Sequence, residues 1–367
     1  MVCLFVIGFK HLAEIRDAYS LYRKDLPHNS GDDLAGIVYS VGKDVYEFKP
    51  GDRVAALHAF GKEDGSFGAE NGGYAEYAVA PDWTTLHIPH SVSFEEAATI
   101  PATALTAAIA LYVDMKLPTP YNPRKPAETR AKRVPILIYG ATSAIGAFAA
   151  KFARLSGLGP IIGVAGRSSD FARTLVDYVV DYRNGEDALV AAVEEVLAKE
   201  GLGSKVPYVF DAISENGSLE ATLRLIDLNG GTVSTVLPPN LFARDKKNFK
   251  YPPGVKAVNS ILALVHITHK DFGYLWSRYL SRLLEDGRLR GHPYEVIPGG
   301  LNGVLTGLKN LKDGKASAVK YVYRIEDTKS VPMLRAVSAQ GTGGQPLGGQ
   351  SRENTHPLRN FPFPAED

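Results

Sequence analysis

The chain has 367 residues, enough for about two domains that each bury a core of their own. Its 41 Lys and Arg residues against 40 Asp and Glu residues leave a net charge of +1, so neither nucleic acid nor a membrane surface is expected as a partner. The single cysteine, Cys3, excludes an internal disulfide and a multi-cysteine zinc site. No stretch of about 18 uncharged apolar residues occurs, and the apolar opening MVCLFVIGF has no basic lead, so we expect a first strand, no membrane span and a cytoplasmic location.

The first hundred residues have the pattern of a small β-rich domain. Strands are predicted at Leu34–Val41, Arg53–His58 and Tyr74–Ala80, because apolar residues there are bounded by glycine-containing turns. Ser93 can cap a short helix, and a helix of small residues is predicted from Pro101 to Tyr112.

After residue 117 the pattern becomes that of an α/β domain. Residues 117–133, which are rich in proline and basic residues, predict a solvated loop, with a docking role as the alternative. Strands are then predicted at 136–139, 161–164, 178–181, 208–211 and 231–237, with helices at 145–156, 170–176, 186–200 and 218–226. Strands that alternate with helices favour a parallel, doubly wound sheet with right-handed crossovers.

The last third is predicted to return to strands. A further apolar strand is expected at Val255–Thr268 and a helix at 272–286, followed by strands at 294–297 and 319–325 around a helix at 301–312. Residues 340–364 are rich in Gly, Pro, Gln, Ser and Asn and poor in apolar residues, which predicts a disordered tail.

The stretch from Val134 to Phe152 is the most informative part of the sequence. A buried-strand pattern ends at Gly140, small residues follow, and Gly146 lies at the start of a helical pattern. Such a strand, turn and helix can present backbone N–H groups to a pyrophosphate. Ser143 stands where the middle glycine of G-x-G-x-x-G is expected, so an ordinary turn in a parallel sheet is the alternative.

The end of the next strand indicates which dinucleotide is bound. An Asp or Glu is expected there when the cofactor is NAD, but Gly166, Arg167 and Ser168 follow the strand instead. A guanidinium and a hydroxyl suit a phosphate on the ribose, so the sequence predicts NADPH. Asp170 is predicted to be the N-cap of the following helix.

Several motifs in order resemble one enzyme superfamily: GDDLAGIVYSVGKDV, KPGDRVAA, GGYAEYAVAP, IPHSVSFEEAATIPATALTA, YGATSAIGAFAAK and the C-terminal KDGKASAVKYVYRI. They are similar to the medium-chain dehydrogenase/reductase superfamily, in its zinc-independent enoyl reductase and quinone oxidoreductase branch. The proline-rich insertion is similar to that of fungal enoyl reductases that act in trans beside polyketide synthases.

The resemblance implies an α/β protein with a Rossmann sheet and a GroES-like β-rich domain. The GroES-like domain would comprise residues 1–100 and 288–326, the Rossmann NADP-binding domain residues 101–287, and the disordered tail residues 327–367. The active site would be the cleft between the two domains. Relatives carry further strands before the point where this sequence starts, which leads us to expect an open sheet edge.

The resemblance also implies the site residues. The phosphate-binding turn would be Gly140, Ala141, Thr142, Ser143, Ala144, Ile145 and Gly146. Arg167 and Ser168 would hold the 2′-phosphate, Tyr182 would pack near it or serve only core packing, Thr106 would face the nicotinamide, and Leu237 would lie by the ring.

No metal is expected. Where zinc-dependent relatives have Gly-His-Glu, this sequence has Gly31-Asp32-Asp33. His58, His87 and His90 lack ligand partners at metal-site spacing and are interpreted as structural or surface residues.

Without a metal, the expected chemistry is reduction of a C=C bond conjugated to a carbonyl, with hydride to the β-carbon and a proton to the α-carbon. Tyr22 lies where some enoyl reductases carry the proton donor; Tyr19 is an alternative, and both tyrosines can equally be packing residues. The substrate would be a small molecule, with a carrier-bound acyl chain as one form.

A quinone reductase and a nucleotide-binding partner protein without turnover are the alternative functions. A homodimer is expected, because Val255–Thr268 is apolar and follows the last Rossmann strand, where relatives pair two subunits.

Overall fold

The computed structural model describes residues 2–5, 31–59, 72–123 and 133–329. The strands of these residues are β1 (Val2–Phe5), β2 (Asp33–Ile37), β3 (Arg53–Leu57), β4 (Thr85–His87), β5 (Ile136–Tyr139), β6 (Ile161–Ala165), β7 (Tyr178–Asp181), β8 (Tyr208–Asp211), β9 (Thr232–Thr235), β10 (Lys256–Asn259), β11 (Tyr294–Val296) and β12 (Lys320–Arg324). The α-helices are α1 (Phe94–Ala97), α2 (Pro101–Ala108), α3 (Ala144–Leu155), α4 (Ser169–Arg173), α5 (Glu186–Lys199), α6 (Ser218–Leu223), α7 (Pro239–Phe242), α8 (Lys270–Glu285) and α9 (Val304–Lys312).

The first sheet combines strands from both ends of the described chain, in the order β11-β12-β1-β2-β3-β4. Neighbouring strands are antiparallel except β11 and β12, which are parallel. The opening residues do form a strand, as predicted, and it lies between β2 and β12. In the described part of the chain this sheet ends at β4 and β11, and the open edge expected from the resemblance stays a prediction.

The second sheet is entirely parallel, in the order β10-β9-β8-β5-β6-β7. Its central strand β5 is covered on both faces: Ile136 and Ile138 belong to one buried cluster, while Leu137 belongs to the other. A parallel sheet with helices on both faces confirms the predicted α/β, doubly wound fold beside a β-rich sheet.

The larger buried cluster joins the two sheets. The small side chains of α2 allow α3 to pack closely, and Phe148, Phe152 and Trp276 fill the space beyond it. The Trp276 ring stacks on Tyr112 with a 5.0 Å centroid separation. Residues 1–329 form one compact unit, and the predicted domain boundaries inside it stay a prediction.

Three predicted elements differ in the structure. Residues 74–77 form bends and residues 78–80 have no regular structure, so the predicted strand is absent there. The small-residue helix ends at Ala108 and continues as a π-helix over Ile109–Asp114. In the predicted strand Val255–Thr268, only β10 is extended; a 3₁₀-helix over Leu262–His266 follows. Apolar content could not distinguish a strand from a helical turn there.

One helical stretch, Phe94–Asp114, is long and apolar enough to cross a membrane by length and composition. However, 83% of its apolar window is buried inside the protein, as in a core helix. The cytoplasmic location stays a prediction. The predicted tail lies outside the described residues, apart from residues 327–329.

Candidate active site

A cavity of about 340 Å³ opens at the carboxyl ends of β5 and β6. β5 lies between β6 and β8, so the chain crosses over in opposite directions on its two sides. In parallel α/β sheets a ligand binds in the crevice at such a switch point. We call this space the switch-point cavity. Its lining comprises Tyr139, Gly140, Thr142, Ser143, Val164, Ala165, Gly166, Arg167, Ser168, Tyr182, Ile213, Glu215, Asn216, Ala316, Ser317 and Ala318.

The turn between β5 and α3 has the local structure expected of a phosphate cradle. Gly140 adopts a φ of 75°, and the Ser143 side chain caps α3 by accepting a hydrogen bond from Gly146 N at 3.0 Å. A Cβ on Gly146 would lie 2.2 Å from the Gly140 carbonyl oxygen, so the turn requires glycine there. The first N–H groups of a helix have no intrahelical acceptor, and they can bind an anion at this end of the sheet.

The seven predicted turn residues divide into two groups. Gly140, Thr142 and Ser143 line the switch-point cavity. Ala141 is fully buried beneath the turn, where it packs against Gly163 of β6. Ala144, Ile145 and Gly146 form the first turn of α3 and do not line the cavity with their side chains. Ser143, in place of the middle glycine, is accommodated because its hydroxyl serves as the cap.

Arg167 and Ser168 both line the cavity, on the side predicted to hold the 2′-phosphate. The Arg167 guanidinium donates to the Gly314 carbonyl oxygen at 3.1 Å, and the hydroxyls of Ser168 and Ser317 are 2.6 Å apart. Both partners belong to the segment between α9 and β12, which the sequence reasoning did not assign to the site. Its signal in the sequence was a run of small residues after a glycine, which is common in surface loops.

The predicted N-cap of α4 is wrong. Ser168, not Asp170, holds the N-cap position, and Asp170 lies in the first turn, where it pairs with Arg173. The Ser168 side chain does not cap the helix. Its hydroxyl faces Ser317 instead.

Tyr182 lies in the cavity wall and is 47% exposed, so it is not a core residue. Its ring is 6.2 Å from that of Tyr139, and a Cβ on Gly166 would lie 2.7 Å from it. Glycine at position 166 therefore lets the backbone after β6 pass close to this ring.

Thr106 and Leu237 do not line the switch-point cavity. Thr106 is buried on α2, where its hydroxyl donates to the Ala102 carbonyl oxygen at 2.7 Å. Leu237 is buried just after β9. Tyr22 and its alternative Tyr19 lie outside the described residues.

The segment after β8 also lines the cavity, through Ile213, Glu215 and Asn216, and the sequence did not predict this. Asp211 is fully buried, and its carboxylate accepts hydrogen bonds from Ile213 N, Ser214 N and the Ser218 hydroxyl at 3.1, 2.8 and 2.6 Å. Burial raises the pKa of Asp211 to about 6, while these three donors oppose the rise. Ser214 and Asn216 have φ values of 58° and 55°, so this carboxylate holds a strained loop in place.

The histidines considered as ligands lie apart from this cavity. His58 Nδ1 is 3.1 Å from the Gly31 carbonyl oxygen, and His87 Nε2 is 3.3 Å from Asp52. Within the described ranges, no three His, Cys, Asp or Glu side chains are grouped so as to hold a metal ion. Independence from metal stays a prediction.

The residues present fit a dinucleotide. The N-terminus of α3 at this cavity suits a pyrophosphate, and the Arg167 guanidinium with the nearby serine hydroxyls suits a further phosphate. The glycines of the lining leave space that a Cβ would fill.

Comparison with known proteins agrees with this geometry. Residues 9–90 match the alcohol dehydrogenase GroES-like domain. The chain is 38% identical over 280 residues to the trans-enoyl reductase fsr4 of Gibberella fujikuroi, covering 75% of this chain and 77% of that protein. It is 32% identical over 303 residues to the trans-enoyl reductase ACTTS2 of Alternaria alternata, covering 81% and 83%.

Solved structures share the fold. The CurK enoyl reductase superposes with a TM-score of 0.68 at 20% identity, over 88% of both chains. A quinone oxidoreductase of Pseudomonas syringae pv. Tomato DC3000 gives a TM-score of 0.62 at 22% identity, over 88% of this chain and 90% of that one. The medium-chain dehydrogenase/reductase superfamily, to which these relatives belong, implies a nicotinamide cofactor. The chain belongs to the trans-enoyl reductase family, in the enoyl reductase and quinone oxidoreductase branch of the medium-chain dehydrogenase/reductase superfamily, and it is an oxidoreductase.

Proposed function

We propose that this protein is an NADPH-dependent, zinc-independent reductase of C=C bonds conjugated to a carbonyl, in enoyl thioesters or enones. The observation that carries the proposal is the pairing of a phosphate-binding turn with Arg167 in one cavity, in a chain related to proteins named trans-enoyl reductases. When bound, NADPH supplies the hydride that adds to the β-carbon of the substrate.

The contribution of this chain is to bind and to orient. The N-terminus of α3 and the Ser143 cap hold the pyrophosphate end, and Arg167 with Ser168 binds the 2′-phosphate. With its phosphates bound at these two places, the dinucleotide would extend its nicotinamide end toward α2, where Thr106 lies. Holding hydride donor and acceptor at a fixed distance accounts for much of the rate in such a reaction.

Hydride addition leaves negative charge on the substrate's carbonyl oxygen, and the α-carbon then needs a proton. Hydrogen-bond donors stabilise that charge, and a neutral acid supplies the proton. The sequence predicts Tyr22 for this acid, and Tyr22 lies outside the described residues. A small-molecule substrate, free or as a carrier-bound acyl chain, fits this chemistry.

The test is a screen of the purified protein with NADPH and with NADH across enoyl thioesters, enones and quinones. We expect NADPH-dependent reduction of conjugated alkenes, with the saturated carbonyl compound as product. Turnover of quinones alone would replace this function by quinone reduction. NADPH binding without turnover of any of the three classes would favour a partner protein.

A further inference from the structure

Asp32 lies where three segments at one end of the first sheet meet. Its carbonyl oxygen accepts a hydrogen bond from His58 N at 3.0 Å. The preceding Gly31 carbonyl oxygen accepts from Gly73 N at 2.8 Å. The phenol of Tyr74 is near enough to interact electrostatically with the Asp32 carboxyl group. Asp32 therefore lies among the start of β2, the end of β3 and residues 73–74.

This end of the first sheet faces the second sheet. His58 interacts with His266, the last residue of the 3₁₀-helix that follows β10, and the His266 ring packs edge-on against Trp83 at 6.2 Å. β10 is parallel to the other strands of its sheet, so the residues after it lie at the carboxyl edge, where the switch-point cavity opens. Asp32 is thus at the boundary between the first sheet and the edge at which the dinucleotide lies.

A neighbouring carboxylate fixes this corner to α2. Asp33 Oδ1 accepts a hydrogen bond from Ala102 N at 2.5 Å. One helical turn later, the Thr106 hydroxyl donates to the Ala102 carbonyl oxygen at 2.7 Å. Thr106 is the residue assigned to the nicotinamide end. Asp32 therefore precedes a residue, Asp33, whose carboxylate is bound to α2 one helical turn before Thr106.

The two adjacent aspartates have different environments. Asp33 is fully buried, and its second oxygen accepts from Lys320 Nζ at 3.0 Å, so both of its oxygens are bound within the protein. Asp32 is partly exposed. The Asp32 carboxyl group is also largely desolvated and lies near Asp33 and Lys320, but the residue keeps some exposed surface. Asp33 is a positioning residue, and Asp32 is the member of the pair whose carboxyl group is not already bound on both oxygens by the described residues.

The surroundings keep a proton on Asp32. Burial raises the pKa of Asp32 to about 7; Asp33 on β2 raises it as well, and Lys320 on β12 lowers it. In the described part of the chain Tyr74 also faces it, and burial raises the pKa of that phenol above its usual value, so Tyr74 stays neutral. A general acid works best when its pKa is near the working pH.

We propose that Asp32 is the acid that protonates the α-carbon of the substrate, a role that rests on the function proposed above. As the hydride adds to the β-carbon, the C=C electron pair moves to form an enolate. The enolate then forms a C–H bond at the α-carbon with the Asp32 proton, the carboxyl O–H bond breaks, and its electron pair remains on Asp32 as carboxylate. Water restores the proton after product release.

The test compares Asp32→Asn with the wild type and with Tyr22→Phe, using NADPH and an enoyl thioester. We expect Asp32→Asn to lower kcat by about 10²–10⁴-fold, the usual contribution of general acid catalysis, without a change in the NADPH Kd. The loss should be smaller with a quinone, whose reduced oxygens take protons from water. Asp32→Glu should recover part of the rate. In the wild type, kcat should fall above about pH 7, and this fall should be absent in Asp32→Asn.

A second measurement needs no turnover. One infrared band of a protonated carboxyl group should be present in the wild type at neutral pH and absent in Asp32→Asn, while any absorption from Asp211, whose pKa burial also raises, is common to both proteins. Retention of this band in the variant, or retention of kcat, would overturn the assignment; so would a large loss in Tyr22→Phe alone. A wild type that binds NADPH but reduces no alkene would instead overturn the proposed function, and the Asp32 role with it.

Discussion

Ser168 and Ser317 are separated by 149 positions in the sequence, yet their hydroxyl oxygens lie 2.6 Å apart in the wall of the switch-point cavity. Ser168 follows β6 of the second sheet, and Ser317 precedes β12 of the first. The contact therefore links the two sheets at the corner where a 2′-phosphate is expected. Any preference for NADPH over NADH should depend on this corner.

The first prediction concerns Arg167. Arg167→Ala should weaken NADPH binding about ten-fold or more and NADH binding much less, because a charge-assisted hydrogen bond contributes about 1.5–3 kcal/mol. Fluorescence titration with both nucleotides measures the two Kd values. Arg173→Ala is the matched control, since Arg173 lies on α4, the helix that follows Arg167, but pairs with Asp170 and does not line the cavity. An equal loss for both nucleotides would contradict the NADPH assignment.

The second prediction tests the turn itself. Gly146→Ala should abolish binding of both nucleotides, because the new Cβ would lie 2.2 Å from the Gly140 carbonyl oxygen and force the turn open. Gly42→Ala is the control, because a Cβ there would meet only Val45 at 3.8 Å. If Gly146→Ala retains its thermal stability and wild-type nucleotide affinity, the turn is not the phosphate site.

The sequence predicted β5 to β9 of the second sheet well, because each of these strands is a short run of mostly apolar or β-branched residues between turns. The turn after β5 was also predictable, because its two glycines are needed for local reasons. Gly140 has a positive φ, and a Cβ on Gly146 would collide with the Gly140 carbonyl oxygen. The loop around Ser317 was not, because its place in the cavity depends on how β12 returns to the first sheet. No local pattern encodes a contact over 149 positions.

At residues 74–80 the sequence predicted a strand where the structure has none. Apolar and polar residues alternate there, yet the segment forms no strand, and Tyr77 and Val79 are 60% and 66% exposed. Alternation predicts a strand only if a neighbouring strand supplies hydrogen bonds, and that depends on tertiary structure.

The third prediction concerns the buried ion pair between Asp33 and Lys320. Lys320→Met should destabilise the fold by about 3–5 kcal/mol, because it leaves the Asp33 carboxylate buried without its partner. The double variant Asp33→Asn with Lys320→Met should recover most of that loss. Urea denaturation measures both. Equal stability of Lys320→Met and the wild type would show that the pair contributes nothing.

The fourth prediction is a pH dependence. Burial, with Lys320 and Lys151 nearby, lowers the pKa of His292 to about 3, so the folded protein keeps this ring neutral. The unfolded chain binds a proton below about pH 6.5, so the stability that His292 contributes is complete above that pH and is lost as the pH falls toward 3. The loss is about 1.4 kcal/mol for each pH unit in this window.

The slope of the unfolding free energy against pH reports how many protons the chain takes up on unfolding. Between about pH 4 and 6, His292→Gln should therefore lower that number by one. Urea denaturation at several pH values gives that slope. His90→Gln is the control, because His90 is exposed. A wild-type slope in His292→Gln would mean that another group is responsible for the acid sensitivity.

The fifth prediction is the homodimer. β10 is an edge strand in the described part of its sheet, and its residues Lys256 and Ala257 are exposed. Ile267, shortly after it, is 60% exposed. Pairing β10 with its copy across a two-fold axis would complete its hydrogen bonds and cover this apolar surface. Light scattering at micromolar concentration should give twice the chain mass of 39.7 kDa.

Ala257→Lys should produce monomers, because in such a dimer it would add a second cationic side chain where the two copies of Lys256 would already approach each other. Leu305→Lys is the matched control, since Leu305 is an exposed apolar residue on α9, away from this edge. A wild type that scatters as a monomer would exclude the dimer, and dissociation of Leu305→Lys but not Ala257→Lys would move the interface away from β10.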